Sequence, residues 1–308
     1  MVVFANDVVV DSHSDIQIIA MKSTCFVLLA SVLLALTLTT YAQTGPPRLI
    51  VRGDDMGYSH AGNEAIVKCY KEGIETAIEV LVPSPWFPEA VKLLEQMPNV
   101  DVGIHLTLTS EWDNLKWRPL SDCPSLRDAN GFFYPMLRPN KNYQKQSVVE
   151  NDWKLADVEK EFRAQITLAQ QRIPRISHLS GHMGCTGFDE DVKALVKKLA
   201  QEYRIRYFDQ NLPHAGVTYT SYVGPHTTSE EKLKSFLSML ENLEPGKTYL
   251  FVDHPGFNTP EVQAIHHIGY ENVAADRQGV TDTWTNPRVK EMIRAKGIKL
   301  IGYNGLPK

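Results

Sequence analysis

The sequence predicts an α/β protein built on one parallel sheet, open or closed into a barrel. Three observations predict it. Seven short apolar segments alternate with helical patterns along most of the chain. Several of those segments run straight into Asp, His or Gly, as strands do when their carboxyl ends carry a site. The stretch from Gln43 to Lys308 also has the size of a single α/β barrel core.

The start of the chain stands apart from this domain. Residues 1–20 read as a start-site artefact, with translation beginning at Met21. Met21-Lys22 precedes an apolar run from Cys25 to Leu38, and Thr40-Tyr41-Ala42 supplies small residues before Gln43. That is the pattern of a secretory signal peptide over residues 21–42. A membrane anchor is the alternative, and the run is short for one. The expectation is therefore an exported single domain over residues 43–308, periplasmic or secreted, with no stable membrane insertion after cleavage.

Formal net charge is -4, and no dense Lys/Arg cluster marks a nucleic-acid partner. Cys69, Cys123 and Cys185 remain after cleavage, with no Cys-x-x-Cys pair, so any metal is held by His and carboxylate. One disulfide is left open in an exported protein.

Strands are expected over residues 49–53, 77–82, 100–107, 175–180, 205–208, 248–252 and 298–303. Helices are expected over 60–72, 87–96, 155–171, 189–202, 229–241 and 287–295, with Gly73 and Gly297 as stops. The first strand, Leu49-Ile50-Val51-Arg52-Gly53, delivers Asp54-Asp55-Met56-Gly57. Two adjacent carboxylates repel, and a cation on one leaves the other free as a base. A solvated turn capping the next helix is the plainer reading of the same pair.

Residues 100–107 alternate cleanly, so His105 shares a face with Asp101, Gly103 and Thr107 near the strand end. His178, Ser180 and His182 fall on one face of the fourth strand. On a helix, His178 and His182 would still meet at i and i+4. Asp253-His254-Pro255-Gly256 again ends a strand in a polar pair and a turn, and proline fixes how the imidazole is presented. Carboxylate plus two imidazoles suits a Zn²⁺-like site with open positions. Residues 110–149 form a long loop holding Trp112, Trp117, Phe132, Phe133 and Tyr134; its aromatics either stack on sugar rings or pack the loop down. Residues 209–228 read as a second rim loop.

Together these residues resemble the YdjC/ChbG-like carbohydrate deacetylases, relatives of the NodB-type polysaccharide deacetylases. The likeness runs through Asp54-Asp55-Met56-Gly57, then Asn63, Ile66 and Gly73, then Gly103, His105, Leu106, Leu108 and Thr109. It continues through Arg118-Pro119-Leu120, Pro124-Ser125-Leu126, Gly131-Phe132, His178, His182 and His254-Pro255-Gly256. Ser180 stands where the family pattern has aspartate, Gly184 where a histidine is usual, and Arg52 where asparagine is common.

The resemblance implies a distorted (β/α) barrel of about seven parallel strands and hydrolysis of N-acetyl groups on amino sugars. It implies one divalent metal, zinc or magnesium, on Asp55, His105 and His182, with Asp54 as base and His254 as acid. Substrate contacts are expected from His178, Trp112, Trp117 and Arg52. The partner is then an acetylated amino sugar, with a homodimer left open. A metal-dependent sugar esterase or phosphohydrolase is the alternative enzyme, and an exported glycan-binding protein the alternative outside enzymes.

Overall fold

The computed structural model describes residues 45–307, so the expected start artefact and signal peptide lie outside the described residues. The first strand, β1 (Arg48–Met56), pairs with three other strands of the sheet. The others are β2 (Ala77–Val80), β3 (Asp101–Leu106), β4 (Ile176–Gly181), β5 (Tyr207–Phe208), β6 (Val217–Thr220), β7 (Thr248–Asp253) and β8 (Lys299–Leu300). Seven follow the order β5-β4-β3-β2-β1-β7-β6, all parallel, and curl into a half-barrel. The eighth, β8, pairs only with Arg48 and Leu49 of β1. It is short because β2 joins that same edge of β1 from Arg52 onward.

Alternation along the strands sorts two faces. Leu49, Val51 and Phe251 face outward into a cluster with helix residues Phe236, Trp284 and Ile293. Ile50 and Leu250 face the barrel interior with Tyr207, Val217 and Tyr303. A third, larger cluster packs helices against β2, β3 and the long loop. That loop is therefore partly core, with Phe133 and Trp117 almost wholly buried.

The helices are α1 (His60–Glu72), α2 (Phe87–Glu95), α3 (Leu155–Arg172), α4 (Glu190–Glu202), α5 (Ser229–Glu241), α6 (Pro260–Gln263), α7 (Val273–Thr285) and α8 (Pro287–Ala295). The first, α1, starts at Ser59, whose Oγ accepts from Gly62 N at 2.9 Å. Its Asn63 Oδ1 accepts from Gly57 N at 2.7 Å and so ties down the turn that follows the two aspartates. Gly297 ends α8 in the left-handed region (φ 63°), but Gly73 (φ -110°) does not end α1 that way. There a Cβ would lie 2.4 Å from the Cys69 carbonyl oxygen, so close packing is the reason for glycine.

Two elements correct the sequence reading. Residues expected as a rim loop contain β6, whose Val-Thr-Tyr-Thr run pairs with Thr248–Phe251 on β7. No helix was expected over α7. Its buried face carries Arg277, Thr281 and Thr283 beside Val280 and Trp284, which hides the apolar stripe. Among the described residues Cys69, Cys123 and Cys185 are free and buried. Among the described residues no helix is long and apolar enough to cross a membrane.

Glu75, just past α1, is 3% exposed, and neither carboxyl oxygen has a hydrogen-bond partner. Burial, and then the nearby Asp54, raise its pKa well above the usual range. The folded chain thus keeps a proton that the unfolded chain releases above about pH 4.3. Stability is fully present below that pH and is lost as pH climbs toward the folded pKa, by about 1.4 kcal/mol per pKa unit of the raise. Glu75→Gln is expected to raise the melting temperature at pH 7 and to leave it unchanged near pH 4. Melting curves at the two pH values check this; an equal shift at both would remove protonation as the cause.

Candidate active site and metal centre

Asp54 and Asp55 are neighbours on β1, and a regular strand would send them to opposite faces. The chain avoids this with a register irregularity between Gly53 and Met56 in the β1–β2 pairing. Asp55 itself sits in the left-handed region, φ 72°, which aspartate tolerates better than most side chains. Both carboxylates end up buried side by side at the rim.

Their partners separate their roles. Arg52 clamps Asp54 twice, Nε donating to Oδ1 at 2.8 Å and Nη2 to Oδ2 at 3.2 Å. Asp55 Oδ2 accepts from Arg277 Nη2 at 2.7 Å, whereas its Oδ1 is buried without a hydrogen-bond partner. His105, near the end of β3, brings Nε2 to 3.5 Å from that free oxygen. His182, in the single 3₁₀ turn after β4, brings Nδ1 to 3.2 Å. One potential ligand atom from each of Asp55, His105 and His182 lies within 4.8 Å of the others.

The far nitrogens are fixed as well. His105 Nδ1 lies 2.6 Å from Ser180 Oγ, and His182 Nε2 lies 2.9 Å from Glu111 Oε2. Such outer contacts set the orientation and basicity of a ligating imidazole.

The charges follow from these contacts. Burial, helped by His182, pushes the His105 imidazole down to about 3, so it stays neutral. Burial opposes charge on His182 too, but Glu111 and Asp55 outweigh it and lift the group to about 10. Burial likewise works against ionised Asp55, and Arg277, His182 and His254 overcome it, holding its carboxyl well below the usual range. Asp54 is pushed up to about 6 by burial, against the pull of Arg52.

These residues fit a divalent cation. It would take Asp55 Oδ1, the lone pair of neutral His105 and Nδ1 of His182, whose other nitrogen is backed by Glu111.

His254 follows β7, and its side chain is 39% exposed where the other site imidazoles are closed in. Asp253 Oδ1 accepts from His254 N at 2.9 Å and lies 3.5 Å from its Nδ1. Burial opposes its charge, but Asp55 and Asp253 raise its pKa. The carboxylates and three imidazoles share a cavity of about 400 Å³ that Trp112, Met183, His267 and Tyr270 also line.

Residues 48–295 match the model of the family described as YdjC-like protein. The chain belongs to the YdjC-like family. A carbohydrate deacetylase of Enterococcus faecalis is 26% identical to it over 272 residues, 84% of this chain and 98% of the relative. A carbohydrate deacetylase of Thermus thermophilus is 31% identical over 238 residues, 70% of this chain and 80% of that one. A crystal structure from Enterococcus faecalis V583, described with reservation as a cellobiose-phosphate cleavage protein, superposes with a TM-score of 0.67. It is 23% identical, covers 85% of this chain and 98% of its own, and so shows the shared fold.

In this YdjC-like chain the structure gathers Asp54, Asp55, His105, His182, His254 and Trp112 around one cavity. Three residues expected as substrate contacts, His178, Trp117 and Arg52, do not line this cavity. His178 is fully buried within β4, whereas His182 lies in the turn beyond the strand's carboxyl end. It pairs with Glu79 at 2.7 Å and stacks on Tyr303 at 3.5 Å. Gly103 makes room for this pair, since a Cβ there would lie 2.4 Å from His178 Nε2. Trp117 is 3% exposed, its indole donating to the Thr109 carbonyl at 2.9 Å. Arg52 is 5% exposed behind Asp54, held also by Tyr303 and Asp209.

Glu111, Arg277, His267 and Tyr270 were not singled out by the sequence. Glu111 sits in an aperiodic loop, and Arg277 on the helix whose stripe is masked.

Proposed function

We propose that this YdjC-like protein is a metal-dependent hydrolase that removes N-acetyl groups from amino-sugar mono- or oligosaccharides. The free, buried Asp55 Oδ1 facing two imidazoles, beside a carboxylate held separately by Arg52, carries this reading. The names of its relatives support the acetylated sugar as substrate. When bound, a divalent ion on Asp55, His105 and His182 supplies Lewis acidity toward the acetyl carbonyl and toward water.

The chain's own groups do the proton work. Asp54, fixed by Arg52 and beside His105 Nε2 at 3.7 Å, accepts the proton of the attacking water. His254 is the accessible imidazole across Asp55 and is aligned by Asp253, so it donates a proton to the departing amine. His267 and Tyr270, packed on the buried Trp112, supply aromatic surface to the apolar side of a sugar ring.

Acetate release from N-acetylated and O-acetylated oligosaccharides, with metal stripped and then restored, tests the reading. Acetate is expected from N-acetyl sugars only when metal is present. Release of phosphate from sugar phosphates without acetate would move the reaction to the phosphohydrolase alternative. Glycan binding without product and indifferent to chelation would make the protein a binder.

A further inference from the structure

Two rim loops meet at the aromatic wall, residues 107–154 and residues 264–272. Both lack regular secondary structure for most of their length, so ordering them is costly in conformational entropy. They are joined by Asp113 N donating to His266 O at 2.9 Å and by Asn114 Nδ2 donating to Ala264 O at 2.9 Å. Tyr143 adds a different kind of link. Its hydroxyl donates to Asp113 Oδ1 at 2.7 Å on its own loop and accepts from Ile268 N at 2.8 Å on the other.

Ile268 directly follows His267, whose ring stacks on Trp112 at 5.6 Å and meets the Tyr143 ring edge-on at 6.2 Å. Tyr143 is 6% exposed and does not line the cavity, whereas Trp112 and His267 do.

We propose that Tyr143 is a positioning residue for carbohydrate binding, its hydroxyl latching the two loops so that the Trp112–His267 stack is held in the cavity wall. The inference rests on the sugar-substrate reading above. A phenol suits the task because one oxygen donates and accepts at once. Burial, and then the bond to Asp113, push its pKa up to about 12, so the proton it donates persists across the working range. Without the latch, the 264–272 loop retains its other bonds but His267 gains freedom that substrate must remove on binding.

Tyr143→Phe keeps the ring and removes only the latch. It is expected to raise KM for an N-acetylated oligosaccharide about five- to tenfold, the size of one hydrogen bond lost from a binding wall. The kcat and the metal affinity stay at wild-type values. Amide hydrogen exchange at Ile268, followed without substrate, is expected to speed up. Asp113→Asn keeps a carbonyl acceptor for the phenol and is expected to stay near wild type in KM. Unchanged KM in Tyr143→Phe overturns the inference, as does a fall in kcat that tracks a lower melting temperature. If the wild-type protein releases no acetate, the enzymatic reading fails by itself. The latch is then judged by glycan affinity in calorimetry, and an affinity unaltered in Tyr143→Phe overturns it.

Discussion

Asp54→Asn is expected to lower metal-dependent acetate release by about 10²- to 10⁴-fold, the contribution of a positioned general base, while divalent-ion affinity is retained. The asymmetry between the two aspartates is the reason. Both oxygens of Asp54 accept from Arg52, and neither belongs to the trio of potential ligands. Asn has the same shape and still offers its carbonyl oxygen to the guanidinium, but it cannot take a proton from water. Asp55→Asn should instead lower divalent-ion affinity, and acetate release with it, because that change weakens the oxygen facing the two imidazoles. Calorimetric titration with the ion, alongside acetate assays, reads both variants. An Asp54→Asn protein that keeps most of its turnover would remove Asp54 as the base. One that loses its metal would make it a ligand.

The residues that meet at the rim were legible because each follows an apolar run directly, and parallel strands place their carboxyl ends together. Asp54, Asp55, His105 and His254 needed only that inference, and each lies at the cavity. What alternation cannot report is depth. His178 and His182 share a face on paper, yet one lies in the barrel interior against Glu79 and the other at the rim. Nor does alternation foresee its own exceptions. The irregularity that turns Asp55 toward Asp54 depends on a left-handed residue whose only sequence trace is an aspartate before Met-Gly.

The scaffold was legible to a similar depth. The first helix, from His60 to Glu72, has clear borders, whereas the helix from Val273 to Thr285 was invisible because its buried face holds polar groups serving the site and the turn after His254. The strand from Val217 to Thr220 escaped because two of its four residues are exposed and its neighbours are polar. Glu111 and Tyr143 were out of reach for another reason: loop residues make contacts that no local periodicity encodes.

Glu111→Gln is expected to weaken divalent-ion binding by about 10- to 100-fold, the usual penalty for losing the carboxylate behind a ligating histidine. In this chain that carboxylate comes from the loop after β3, at 2.9 Å from His182 Nε2. His105, by contrast, has the neutral Ser180 hydroxyl behind it at 2.6 Å. Only one of the two imidazoles therefore has anionic support, and the burden of orienting it falls on Glu111. Glutamine can still accept the Nε2 proton, so ring orientation survives in part and the lost charge dominates. Ser180→Ala removes a neutral partner and should cost less than Glu111→Gln. Because Asp54 and Arg52 are untouched, Glu111→Gln should regain most of its acetate release when the ion is supplied in excess. Unchanged affinity together with a lasting loss of kcat at saturating ion would refute the orienting role. Glu111, which also borders the cavity, would then be acting on the substrate instead.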